Sequence, residues 1–112
     1  MILHIAKAID WDNALKSGKY TADTLLCQGF IHCSTSTQII EVANCLFKHQ
    51  KGLKLLVIEE TKLESEIRYE NTDGTELFTH VYGPINTDAV VNALDFDETP
   101  KGFILPDILS KP

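Results

Sequence analysis

Two segments of this chain carry the spacing of an amphipathic helix, whereas about six shorter segments have the composition of β-strands. The first helix is predicted over residues 11–17, with Asp10 as its N-cap. The second is predicted from Ser34 or Thr35 to about residue 48. Two helices cannot cover both faces of a large parallel sheet. We therefore predict an α+β fold, in which a mixed or split, mostly antiparallel β-sheet packs against two main helices.

The predicted strands are short and are separated by polar turns. They cover residues 1–6, 30–33, 53–59, 66–70, 77–82 and 89–96, and a short helix starting at Asp88 is the alternative for the last one. Residues 19–28 are predicted to be a polar loop or a helical turn, and residues 71–74 a turn. The 112 residues are enough for one domain that needs no disulfide or metal to fold. We assign residues 1–96 to this domain and residues 97–112 to a tail that packs on it or extends from it.

Charge and cysteine content narrow the classes of partner. The net charge of −6 argues against a nucleic-acid backbone and against an anionic membrane surface, both of which favour a basic face. The N-terminal segment lacks the features of a signal peptide, and no apolar run is long enough to cross a bilayer. Three cysteines without C-x-x-C spacing indicate free thiols and a cytoplasmic location. A small-molecule ligand is compatible with these features, and the oligomeric state is left open.

The segment G-F-I-H-C-S-T predicts a strand that runs into the N-terminus of a helix. Helix N-termini present free N–H groups and suit anions, so Ser34 and Thr35 are candidate ligand-binding residues. The simpler interpretation is an N-cap, which either side chain satisfies alone. A histidine at position 32 is not needed for capping, which favours a ligand site. Both interpretations stay open.

The segment E-L-F-T-H-V-Y-G-P is the most specific in the chain. On a strand, Phe78, His80 and Tyr82 share one face and offer a platform for a planar ligand, although an aromatic core stripe gives the same pattern. With Leu77 and Val81 turned to the core, His80 is predicted to face a cleft floor or solvent. Its removal would then cost no more than about 1 kcal/mol of stability.

Three histidines are the candidate catalytic residues, namely His4, His32 and His80. The candidate ligand-binding residues are Ser34, Thr35, Arg68, Glu76, Tyr82 and Gly83. Arg68 can clamp a phosphate or carboxylate, or it can pair with a neighbouring strand glutamate. The spacing of the histidines is long and irregular, so no metal ligands are assigned. Cys33 is a weaker candidate for a nucleophile, because adjacent strand residues point to opposite faces and separate it from His32.

Four segments, L-H-I-A, G-F-I-H-C-S-T, R-Y-E and E-L-F-T-H-V-Y-G-P, strongly resemble the domain-of-unknown-function 952 family over residues 2 to about 96. The chain has Tyr69 where the family usually has tryptophan and Thr79 where proline is usual. The family is similar, at a distance, to the ADP-ribosyltransferase superfamily. That superfamily holds nicotinamide adenine dinucleotide in a cleft of a split β-sheet.

The resemblance implies roles for particular residues. His4 matches an early-strand residue that contacts ribose, and G-F-I-H-C-S resembles the second strand of the superfamily. The late glutamate is not plainly matched, because the late segment offers His80 with Glu76 four residues earlier. The resemblance thus implies an ADP-ribosyltransferase-like enzyme, or a nucleotide- or dinucleotide-binding domain, with a histidine-lined cleft and nicotinamide adenine dinucleotide as a candidate cofactor. A non-catalytic binding or regulatory module is the alternative, followed by a metal-dependent hydrolase.

Overall fold

The computed structural model describes residues 1–71 and 76–110, and every named strand pair in these ranges is antiparallel. Two three-stranded sheets and one two-stranded sheet form. The first has the order β1 (Ile2–Lys7), β4 (Leu53–Ile58), β8 (Val90–Asp95); the second pairs β2 (Lys19–Tyr20) with β7 (Ile85–Asn86); the third has the order β3 (Ile31–Cys33), β6 (Phe78–Tyr82), β5 (Glu66–Glu70).

Four α-helices accompany these strands in the described ranges. They are α1 (Ala8–Ser17), α2 (Asp23–Gln28), α3 (Ile39–Leu46) and α4 (Asp107–Ser110), with short 3-10 helices at Glu60–Lys62 and Thr87–Ala89. The α+β class and the mostly antiparallel pairing are confirmed. None of the helices described has the length and apolar character needed to span a membrane.

A short backbone bridge joins the two three-stranded sheets. The Leu3 N–H donates to the Ser34 carbonyl at 2.7 Å, and the Ser34 N–H donates to the Leu3 carbonyl at 2.8 Å. Strands β1 and β3 are therefore neighbours at this point, although they belong to different sheets. Because His4 follows Leu3 and His32 precedes Ser34 by two residues, the bridge brings two of the predicted histidines close together.

Strand β1 is buried on both faces, and each face belongs to a different apolar cluster. Ile2 and Ala6 pack in the first cluster with Trp11 of α1. Leu3 and Ile5 pack in the second, which also holds α3 residues and Phe103 of the tail. Both faces are covered because α1 and α3 lie on opposite sides of the strand. Phe103 is held there by its N–H, which donates to the Asn44 side chain at 2.9 Å.

The predicted helix starts are wrong. Helix α1 begins at Ala8, so Asp10 lies in its first turn instead of capping it. Helix α3 begins at Ile39 and has Gln38 at the N-cap position. Ser34 lies before the helix and pairs with Leu3, and the turn that leads into the helix begins at Thr35, whose carbonyl accepts the Ile39 N–H at 3.0 Å. The N-cap predicted at Ser34 or Thr35 is therefore displaced to Gln38, and ligand binding at Ser34 and Thr35 stays a prediction.

Residues 19–28 also differ from the prediction. They form strand β2 and helix α2, and only the helical-turn alternative anticipated the latter. Among the described residues there are thus eight strands and four helices, where about six strands and two main helices were predicted. The turn predicted at residues 71–74 lies, beyond Asn71, outside the described residues.

Candidate functional site

A cleft of about 520 Å³ opens beside the bridge between β1 and β3. Its floor includes residues of these two strands and His80 of β6, and its walls come from α1, α2 and α3. The polar and aromatic residues of the lining are His4, Lys7, Asp10, Tyr20, Asp23, Thr24, Gln28, Phe30, His32, Ser34, Phe47 and His80. All three predicted histidines and Ser34 therefore border one cavity.

His4 is fixed in one tautomer by two hydrogen bonds. Its Nδ1 donates to the His32 carbonyl at 2.7 Å, because a carbonyl can only accept. Nε2 then carries the lone pair and accepts the Tyr20 hydroxyl at 2.8 Å. Burial lowers the pKa of His4 to about 4 and raises that of Tyr20, so both groups are neutral at pH 7. Because both ring nitrogens form hydrogen bonds within the protein, His4 has a structural role in the floor of the cleft.

His32 and His80 are directly opposite each other on β3 and β6. Their ring centroids lie 5.5 Å apart, and the His32 ring also contacts Phe78 at 4.8 Å. Burial is the main cause that lowers the pKa of His32, and the nearby His80 adds to it. The two rings lie close together because the strand register pairs residues 32 and 80 and so places their side chains on the same face.

His80 is 0% exposed, so it does not face solvent; it lines the floor of the cleft, which was the other predicted alternative. The Phe30 ring stacks on it, with centroids 4.0 Å apart and planes inclined by 19°. On the other side, His80 Nδ1 donates to Glu70 Oε1 at 2.9 Å, and the Tyr82 hydroxyl donates to the same oxygen. These bonds, that of Tyr82 first, lower the pKa of Glu70, which is therefore ionised at pH 7.

Three buried side-chain atoms have no hydrogen-bond partner within the described parts of the chain, and all three belong to residues that line the cleft. They are Thr24 Oγ1, Ser34 Oγ and His80 Nε2. Buried polar atoms in folded proteins are normally paired, since an unpaired group costs about 1–3 kcal/mol. Because all three residues line one cavity, the cleft has two hydroxyls and one imidazole nitrogen that form no hydrogen bond within the described protein.

Charge in the cleft is low and slightly negative. Lys7 is the cationic residue of the lining, against Asp10 and Asp23. Apolar side chains of α3, including Ile39, Val42 and Leu46, supply the remaining wall. Such a mixture suits an organic molecule with a flat or apolar part and several hydroxyl or amide groups.

The other predicted ligand-binding residues do not line the cleft: Thr35, Arg68, Glu76, Tyr82 and Gly83. Thr35 and Glu76 are exposed. Arg68 pairs with Glu66 on the same strand at 2.7 Å and lies over the Tyr82 ring at 4.4 Å, which is the surface pairing considered as its alternative. Tyr82 contacts Glu70, and Gly83 ends β6 beside Ser65.

The residues of the site that were not among the sequence candidates include Glu70, Phe30, Tyr20 and Thr24. Glu70 and Phe30 lie within the R-Y-E and G-F-I-H-C-S-T segments, so position in those segments was an available signal. Tyr20 and Thr24 lie in the stretch predicted as loop, and only tertiary folding brings them to the cleft.

Metal coordination by the three histidines does not fit this geometry. Both ring nitrogens of His4 are bonded within the protein, which leaves no lone pair for a metal. Within residues 1–71 and 76–110, no three His, Cys, Asp or Glu side chains converge as potential metal ligands. The fold does not support the hypothesis of a hydrolase that uses the three histidines as ligands.

Comparison with known proteins gives a family and a structural relative. The profile of DUF952, described as a protein of unknown function, matches residues 5–93. The crystal structure of protein CC0527 from Caulobacter crescentus is 31% identical, with a TM-score of 0.88 over 98% of each chain. Its solution NMR structure is also 31% identical, with a TM-score of 0.79 over 91% of this chain and 89% of the other. No curated protein matches this chain.

Proposed function

This chain belongs to the DUF952 family of proteins of unknown function, and from that premise we propose that its histidine-lined cleft binds a nucleoside-type molecule, as an ADP-ribosyltransferase-like enzyme. The observation that carries the proposal is the convergence of three buried, unpaired polar atoms, on Thr24, Ser34 and His80, at one cavity. A ligand that fills their hydrogen bonds recovers free energy that the empty protein lacks.

A nucleoside combines the two kinds of group that the cleft can bind. The half-buried rings of Phe30, His32 and Phe47 offer contact surfaces for a planar heterocycle. The hydroxyls of Thr24 and Ser34 can pair with sugar hydroxyls, and carboxylates of the lining can accept from them. The cavity volume lies within the range of small-molecule sites.

The charges of the lining favour an uncharged or cationic ligand over a phosphorylated one. Phosphate sites generally use arginine, lysine or a helix N-terminus, whereas this lining has Lys7 against Asp10 and Asp23. We therefore propose that nicotinamide adenine dinucleotide, if it is the physiological ligand, places only its nicotinamide riboside half in the cleft. The pyrophosphate would then lie outside it.

Two features support an ADP-ribosyltransferase-like fold, and a third feature indicates a chemistry different from that of the superfamily. The two three-stranded sheets meet at the Leu3–Ser34 bridge, which agrees with a split sheet, and His4 lies on the first strand. Glu70, in contrast, reaches the cleft only through His80. In the proposed chemistry, His80 therefore contacts the ligand, and Glu70 contacts His80 but not the ligand.

Thermal unfolding in the presence of candidate ligands tests the proposal. Adenosine and nicotinamide riboside should raise the melting temperature more than nicotinamide mononucleotide, ADP-ribose or the dinucleotide. A ligand at ten times its Kd adds about 1.4 kcal/mol, which corresponds to a shift of roughly 4–8 °C for a domain near this size. If none of the five compounds shifts the transition, the proposed ligand class is wrong.

Ser34→Ala locates the binding site, with His49→Asn as the control. Removal of a buried hydroxyl that has no partner should leave the free protein at least as stable, and it should reduce the ligand-induced shift. His49 is exposed and outside the cleft, and asparagine tolerates its backbone φ of 68°. The control should keep the full shift, so equal shifts in all three proteins would place the ligand elsewhere.

A non-catalytic binding module is the second candidate. Leu26 is 92% exposed on α2 and Leu46 is 66% exposed at the cleft rim, and exposed apolar side chains suit a protein partner. In this case nucleosides would leave the melting temperature unchanged, while a protein partner would raise it. Both candidates are proposed to act in the cytoplasm, where the exposed thiols of Cys27 and Cys45 stay reduced.

A further inference from the structure

Glu70 does not line the cleft, yet it is bonded to the buried histidine that does. It lies on β5, and its Oε1 accepts from both His80 Nδ1 and the Tyr82 hydroxyl. Strand pairing fixes the arrangement, because Glu70 lies opposite Phe78 and Arg68 lies opposite His80. The carboxylate is thus held diagonally beside the His80 ring by the sheet itself.

The bonds of Glu70 decide which ring nitrogen of His80 carries hydrogen. An ionised carboxylate has no hydrogen to donate, so His80 Nδ1 must be the donor. In the neutral ring the lone pair is then on Nε2. This is the atom that is buried without a partner, and its residue belongs to the cleft lining.

The surroundings of Nε2 separate it from bulk water. The Phe30 ring covers one face of His80, and the His32 ring lies 5.5 Å away. No water competes for a lone pair in such a shielded place, so a hydrogen bond that a ligand donates to it is made in a low-dielectric environment. The buried imidazole and the half-buried carboxylate bonded to it resemble a general base and its orienting group in geometry.

We infer that His80 Nε2 is the proton acceptor of the cleft and that Glu70 is the positioning residue that aims it, with Tyr82 steadying the carboxylate. This inference rests on the proposed function, and it identifies a ligand hydroxyl as the group that meets His80. In the step, the O–H bond of that hydroxyl breaks and an N–H bond forms at Nε2. The oxygen keeps the electron pair of that bond as an alkoxide, and the Glu70 carboxylate balances the charge of the resulting imidazolium.

Nitrogen-15 NMR of the imidazole rings in the ligand-free protein tests this inference at neutral pH. The wild-type protein should show hydrogen on Nδ1 of His80 and none on Nε2. In Glu70→Gln, the amide can donate to Nδ1, so part of the population should move its hydrogen to Nε2. Tyr82→Phe is the matched control: it removes the other donor to Glu70 and should keep the wild-type tautomer.

The outcomes separate a positioning role from a structural one. If Glu70 only stabilises the fold, Glu70→Gln lowers the denaturation midpoint while the tautomer stays unchanged, and the inference is wrong. Hydrogen on Nε2 in the wild-type protein, in either charge state, also overturns it. Since no ligand is used, this measurement is independent of the nucleoside screen, and one can fail while the other succeeds. For a nucleoside that binds, Glu70→Gln should weaken affinity at least about tenfold, or 1.4 kcal/mol, and Tyr82→Phe less.

Discussion

His80 combines complete burial with a bond to a charged side chain, and this combination makes its removal costly. Replacement by alanine deletes a ring stacked on Phe30 and leaves the Glu70 carboxylate without one donor. We expect His80→Ala to lose roughly 2–4 kcal/mol in urea denaturation at an unchanged slope. His49→Asn, at an exposed histidine, should change stability by no more than about 0.5 kcal/mol. A loss below about 1 kcal/mol in His80→Ala would show that the ring is not packed as described.

His4 should make the fold sensitive to mild acid. Its pKa is about 4 in the folded protein against 6.5 for an ordinary histidine, so the unfolded chain takes up a proton first as the pH falls. Stability should therefore be full above about pH 6.5 and should decrease by about 3 kcal/mol as the pH falls to 4. Urea midpoints across this interval measure the loss. The variant His4→Gln should lack this part of the pH dependence. If the urea midpoint of the variant falls with pH as much as that of the wild-type protein, the prediction is wrong.

Sequence reasoning located the residues of the site better than their environments. Strand alternation and the four family-like segments pointed to His4, His32 and His80, which the fold brings to one cavity. The burial of His80 could not be predicted, because it depends on the stacking of Phe30, which precedes the neighbouring strand β3. The bond to Glu70 likewise depends on the register between β5 and β6, which local composition does not determine.

At the scale of elements, Gly83 shows how tightly the end of β6 is built. Its φ is 153°, and an added Cβ would lie 2.5 Å from Ser65 Oγ. Ser65 cannot turn away freely, because its hydroxyl donates to the Pro84 carbonyl at 2.6 Å. We expect Gly83→Ala to cost at least about 2 kcal/mol, from backbone strain and the close contact together.

Gly18→Ala is the matched control for this prediction. Gly18 ends α1 with a φ of 84°, and an added Cβ there meets nothing within 4 Å. Its cost should be about 1 kcal/mol, from the backbone conformation alone. Equal losses of denaturation free energy in the two variants would show that Ser65 moves aside without cost.

Periodicity predicted the longer elements and failed for those that depend on a partner. Residues of β1, β4, β5, β6 and β8 were predicted as strands within a few positions. Strands β2 and β7 have two residues each and exist because Lys19 pairs with Asn86 and Tyr20 with Ile85. Helix α3 also starts later than predicted, because Ser34 pairs with Leu3 and a turn that begins at Thr35 precedes the helix. Contacts distant in sequence decided these points.

For the whole molecule, the tail after Phe96 contributes to the second apolar cluster. Phe103 is 3% exposed and lies 4.9 Å from the Phe96 ring. We expect Phe103→Ala to cost roughly 3–5 kcal/mol, as truncation of a buried aromatic side chain does. The neighbouring Ile104 is exposed, and Ile104→Ala should stay within about 0.5 kcal/mol. Similar urea midpoints for the two variants would mean that the tail does not stabilise the domain.

The division of the core into two clusters has an optical consequence. Trp11, the single tryptophan of the chain, lies in the first cluster and is 7% exposed, so native fluorescence emission should be blue-shifted and should report on that cluster alone. The second cluster contains phenylalanines and aliphatic residues and is silent at these wavelengths. If β1 couples the two clusters into one cooperative unit, tryptophan emission and circular dichroism will follow a single unfolding curve. Loosening of the tail and α3 alone would instead reduce ellipticity while the tryptophan emission stayed native.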